Sequence, residues 1–206
     1  MLKKLTDRAV QFGARLGIAT MLTKFAQLGP SMPEPTGTIP AYIQGGKRPA
    51  SALRLVVLHS TESESGALNI ANYFANPEAG GSTQLVVGQD GIYRCVPDLV
   101  MPAGAPGANE DGLHIEMVGY ARWTREEWLE RRVTLRNAAV CVAAWCALYD
   151  IPTDFLLEPS DLLDPTARGI TTHATVSLAF RKSDHMDPGK NFPFDVLAQD
   201  LLWLRM

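Results

Sequence analysis

The chain has 206 residues, 46% of them hydrophobic and 20% charged, with a formal net charge of −3. That length holds one sizeable α/β domain plus an appendage, and the balance is that of a globular protein, not a disordered one. The charge gives no reason to expect a nucleic-acid partner, and no stretch is long and apolar enough to span a membrane.

At the N-terminus, Lys3 and Lys4 precede an apolar run that Arg15 and Lys24 interrupt. A secretion signal needs an uninterrupted apolar centre, so residues 1–28 are expected to form an amphipathic helix, with a signal-like segment as the alternative. Residues 29–50 are rich in Pro and Gly at their start and read as a linker or extended arm. The domain proper is expected over 51–206. Residues 53–58 are a β-branched-rich run, a buried strand ending at His59. After Gly66, the positions Ala67, Ile70, Ala71 and Phe74 have helical spacing. Gln89-Asp90-Gly91 between two apolar runs marks a hairpin, because Gly accepts positive φ.

Residues 113–118 alternate, with Leu113, Ile115 and Met117 on one face and His114, Glu116 and Val118 on the other. Thr124 and Glu127 have the spacing of a capping box. They open an expected helix to about Tyr149 with Leu129, Val133, Val140 and Ala144 in its buried stripe. A loop leads to Gly169-Ile170-Thr171-Thr172-His173, and Asp195 is placed to cap a last helix through Leu204. Mixed strands and helices with a hairpin predict a central mixed β-sheet flanked by helices.

Three cysteines, Cys95, Cys141 and Cys146, form no C-x-x-C pair and lie in packing positions. They suit a core better than a zinc site or a reactive thiolate. Of the four histidines, His59 ends a strand and His173 follows a strand-like run, while Asp187 sits in the turn Asp187-Pro188-Gly189. Two imidazoles and one carboxylate suffice for a catalytic zinc site, whose fourth position stays open for water. Spacing alone does not decide between that site and two packed histidines with a turn aspartate.

Six segments in order resemble the type 2 N-acetylmuramoyl-L-alanine amidases, a family shared with peptidoglycan recognition proteins and phage lysins. They are residues 55–61, ending in His59-Ser60-Thr61; the hairpin 86–93; Val96-Pro97-Asp98 followed by Ala103-Gly104; residues 114–119; Thr172-His173-Ala174; and residues 187–193. The last is similar to the family's Asp-Pro-Gly-Pro-x-Phe signature, with Lys190 in place of the second Pro. The resemblance implies a mixed sheet with Zn2+ held by His59, His173 and Asp187 in a surface groove. It also implies cleavage of the amide between N-acetylmuramic acid and L-alanine in peptidoglycan.

Some family members carry Glu where Glu116 stands, which makes Glu116 the expected general base; a strand carboxylate holding a loop is the plainer alternative. Others use a Tyr before the hairpin, and Ser82-Thr83-Gln84 departs from that pattern. His185 is a candidate oxyanion donor, with an exposed histidine the alternative, and His114 is expected to be structural or to line the groove. With no evident signal segment, the resemblance suggests a monomeric phage endolysin, made in the host cytoplasm and acting on the wall after release. The wording of residues 169–194 is most similar to lysins of actinobacterial phages. The competing functions are a recognition module that binds peptidoglycan without cutting it and a cytoplasmic amidase recycling muropeptides.

Overall fold

A computed structural model describes residues 31–204. The helix expected over 1–28 lies outside them. From Met32 onward the chain forms one compact unit. Its strands are β1 (Gly37–Thr38), β2 (Leu55–Ser60), β3 (Leu85–Gly88), β4 (Gly91–Arg94), β5 (Gly112–Met117) and β6 (Gly169–Thr172). Its helices are α1 (Ala67–Phe74), α2 (Arg125–Glu130), α3 (Arg132–Leu148), α4 (Pro159–Leu163), α5 (His173–Phe180) and α6 (Phe194–Leu204).

The six strands form one mixed sheet in the order β1-β4-β3-β5-β2-β6. Only the β3–β4 hairpin is antiparallel; β3, β5, β2 and β6 run parallel. All six positions of β2 are buried, as a parallel strand covered on both faces requires. Its period of two sends Val56 and Leu58 into the main core with Leu113, Ile115 and Met117 of β5. Leu55 and Val57 point the other way, into a smaller cluster with Val176 of α5. His59 belongs to this second face, and so do His114 and Glu116, because Val57 pairs with His114 and His59 with Glu116.

The extended arm joins the sheet edge. Thr36, Ile39 and Ala41 donate backbone hydrogen bonds to Ile92, Arg94 and Cys95. The hairpin turn also starts a helix, since Asp90 accepts from the amides of Ala67 and Leu68 and caps α1. Asp98 accepts from Arg94, Trp145 Nε1 and Tyr149 OH, tying the segment after the hairpin to α3.

Two expectations need correction. The capping box of Thr124 and Glu127 is present, but the helix it opens ends at Glu130, and Arg131, at φ −96° and ψ 41°, breaks it from α3. The break shifts the helical phase. The buried stripe of α3 is therefore Leu135, Ala138, Ala139, Val142, Trp145 and Cys146, while Val133 is half exposed. Asp195 is not the cap of α6 but lies in its first turn, where its carboxylate takes a bidentate pair from Arg125 at 2.6 and 2.7 Å. The three cysteines are buried, as their packing positions predicted.

Candidate metal centre

The site forms at the carboxyl ends of three neighbouring parallel strands, where open sheets of this kind place ligands. His59 is the penultimate residue of β2 and Glu116 that of β5. His173 follows β6 directly as the first residue of α5, and the Thr172 hydroxyl caps that helix by accepting from the Thr175 amide.

Asp187 arrives from a loop and is held at both backbone and side chain. Its carbonyl accepts from the Ala174 amide at 3.0 Å, and its Oδ2 lies 3.4 Å from the Ser60 amide. The Asp187–Pro188 peptide is cis. Gly189 then takes φ +92°, and a Cβ there would overlap the Ala121 carbonyl. Only glycine suits that close approach.

His59, His173 and Asp187 are each at most 5% exposed, and their ligand-type atoms lie within 4.8 Å of one another. Nδ1 of His59 is 3.2 Å from Asp187 Oδ2, and Nδ1 of His173 is 3.3 Å from Asp187 Oδ1. Burial pushes the Asp187 carboxyl up, but the imidazoles of His173 and His59 set against its two oxygens outweigh it and hold the group well below the usual range. Burial lowers the His59 pKa against the opposing pull of Asp187, which favours the neutral imidazole that ligates metals. Two imidazoles and a carboxylate sharing one small space could hold a divalent cation.

Glu116 Oε1 lies 3.9 Å from His59 Nδ1. Its other oxygen, Oε2, is buried with no hydrogen-bond partner. Burial first, then the charges of Asp187 and Glu62, raise its pKa well above the ordinary value. An orphaned buried acceptor beside a ligand cluster calls for a cation or a donor, and this fits a bound metal with its water. His185 stacks on His173 at 4.1 Å between centroids, with its Nδ1 3.3 Å from Asp187 Oδ1 and its side chain 58% exposed. His59, Glu116, His173, His185 and Asp187 all open onto one groove of about 490 Å³, whose walls include Tyr73, Phe74, Gly80 and Pro106.

Thr83, at the position where some relatives of this pattern place a tyrosine, has no part in the groove. Its hydroxyl donates to the His114 carbonyl at 2.8 Å. His114 is completely buried, so the groove-lining alternative for it is excluded and the structural one holds. Glu62 escaped the sequence reading. It lies on the groove at φ 51° and accepts from the Ser60 hydroxyl and the Ala121 amide. Polar Ser/Thr/Glu runs after strands are common, so only its unusual backbone marks it out.

The structure is thus a mixed sheet with a buried His-His-Asp cluster at its parallel strand ends. The family described as N-acetylmuramoyl-L-alanine amidase matches residues 49–190, and the chain belongs to it. The fold is similar to that of the Staphylococcus aureus hydrolase AmiA, at 18% identity and a TM-score of 0.63, covering 83% of this chain and 82% of that one. It is also similar to AmpD in a selenomethionine derivative, at 15% identity and TM-score 0.56, over 79% and 92% of the two chains. A mutant endolysin from Bacillus subtilis matches at 16% identity and TM-score 0.51, over 81% and 96%. No curated protein sequence matches the chain.

Proposed function

We propose that the protein is a zinc-dependent peptidoglycan amidase that hydrolyses the bond between the lactyl group of N-acetylmuramic acid and the L-alanine of the stem peptide. The observation that carries this reading is the meeting of His59, His173 and Asp187 at one point of an open groove, in a chain of the amidase family. A filled ligand trio favours cutting over binding alone. His59, His173 and Asp187 would hold the ion. Zinc bound there supplies a Lewis acid for the scissile carbonyl and lowers the pKa of water to about 7.

The remaining work falls to side chains. Glu116, beside His59, takes the proton of the attacking water and returns it to the leaving alanine amine. Its Oε1, 3.9 Å from His59 Nδ1, is placed for both proton transfers. His185, half in solvent over His173, donates an N–H to the developing oxyanion. The apolar rings of Tyr73 and Phe74 form a wall against which substrate excludes water.

The catalytic domain is assigned to residues 51–206, with 29–50 as an arm and 1–28 as an appendage, acting as a monomer. No helix among the described residues is long and apolar enough to cross a membrane. The biological setting we favour is a phage endolysin of an actinobacterial host, made in the cytoplasm and released to the wall for lysis. The resemblance of residues 169–194 to lysins of actinobacterial phages supports it. Incubation with intact sacculi should release new alanine amino termini without new reducing sugar ends. Turnover of soluble muropeptides only, with sacculi untouched, would point to recycling instead.

A further inference from the structure

We propose that His114 is a positioning residue: it fixes the tautomer of His59 and so aims the His59 Nδ1 lone pair at the metal. This rests on the metal reading above and gives a role to a residue that never meets the groove.

A chain of hydrogen bonds starts at a backbone carbonyl. His114 Nε2 lies 3.1 Å from the Ala108 oxygen, and a carbonyl can only accept, so Nε2 carries the proton. A neutral imidazole has one N–H, and among the described residues no carboxylate pairs with this ring to sustain a cation. His114 Nδ1 is therefore an acceptor. It lies 3.0 Å from His59 Nε2, which must then be the donor. That leaves His59 Nδ1 bare. Nδ1 is the atom 3.2 Å from Asp187 Oδ2. Two acceptors at that distance repel unless they share a cation, and a divalent ion satisfies both.

The surroundings are built to preserve this chain. A Cβ on Gly104 would stand 2.5 Å from His114 Nδ1, and one on Gly112 would stand 2.5 Å from the Ala108 oxygen and 3.0 Å from His114 Nε2. Both glycines keep room at the two ends of the ring. Asn109 Oδ1 accepts from the amides of Gly104 and Ala105 and holds the loop that carries the Ala108 carbonyl. The backbone of His114 is gripped by side chains, with Gln84 Oε1 accepting from its amide and the Thr83 hydroxyl donating to its carbonyl. The second imidazole is not controlled this way. His173 Nε2 faces the Ser183 hydroxyl at 3.4 Å, and a hydroxyl can donate or accept.

The test combines nitrogen-detected NMR of the zinc-loaded wild-type protein with zinc affinity of variants, measured by competition with a chelating indicator. The expected spectrum shows protons on Nε2 of both His59 and His114. His114→Phe keeps the bulk and removes the acceptor, and should weaken zinc by about 10- to 100-fold. His114→Asn places an amide oxygen where Nδ1 stood and should stay within about 3-fold of wild type. Zinc-loaded protein with the proton on His114 Nδ1, or a His114→Phe protein that binds zinc as tightly as wild type, would overturn the positioning role. Wild type that binds no zinc would overturn the metal reading and this assignment with it. If His114→Phe does not fold, the wild-type spectrum still decides.

Discussion

His59 and Glu116 are register partners on adjacent parallel strands, and their side chains reach the same face of the sheet, 3.9 Å apart from Nδ1 to Oε1. The sheet itself thus sets the distance between the proposed metal ligand and the proposed base. Glu116→Gln keeps the shape and removes the proton-accepting oxygen. It should lower kcat by about 10²- to 10⁴-fold while zinc content stays that of wild type. Unchanged lysis with zinc bound would remove Glu116 from the chemistry.

His185 offers its ring from a more exposed place, stacked on His173. Its donor is partly in competition with water, so it should contribute less than the roughly 10²- to 10³-fold of a water-excluded oxyanion donor. His185→Ala is expected to reduce kcat by about 10-fold with little change in KM. An unaltered kcat would leave His185 as an exposed histidine of the groove rim.

Gly189 secures the turn that presents Asp187. An alanine there is strained by φ +92° and would run into the Ala121 carbonyl. The Gly189→Ala protein should lose at least ~2 kcal/mol of stability and bind zinc more weakly, because the turn must shift. A denaturation midpoint and zinc affinity equal to wild type would show that the turn has slack.

Burial pushes the thiols of Cys95 and Cys141 up to about 12 from an ordinary 9.0. Above pH 9 the unfolded chain then loses protons that the folded chain retains, so fewer protons are bound unfolded and stability falls as pH rises. The decline should run from about pH 9 to 12, at up to ~1.4 kcal/mol per unit for each thiol. Comparing denaturant midpoints of wild type and Cys95→Ala/Cys141→Ala over that range checks it: the slope should be shallower in the variant, where the shifted Tyr149 and Arg48 remain, and equal slopes would place the cause elsewhere.

The parts of the fold carried by local chemistry were legible in the sequence. Asp90-Gly91 marked the hairpin, the alternation of 113–118 put Glu116 on the right face, and the Asp187-Pro188-Gly189 turn marked the carboxylate. The slip at Arg131 was not legible, because one non-helical residue changes the phase of all that follows without leaving a Pro or Gly as a sign. The edge pairing of residues 36–41 rests on backbone hydrogen bonds, with the Thr36 hydroxyl oxygen accepting from the Ile92 amide as the one side-chain addition, so no hydrophobic pattern announces it. The role of His114 depends on a loop carbonyl and on space left by Gly104 and Gly112, which are relations in three dimensions.

The central claim is one zinc ion held by His59, His173 and Asp187. Elemental analysis of purified wild type and of Asp187→Ala, with amine release from sacculi measured on the same samples, tests it most directly. Wild type should carry about one zinc per chain and show chelator-sensitive release, and the variant should lose both. Full release by metal-free protein, or by Asp187→Ala, would contradict it.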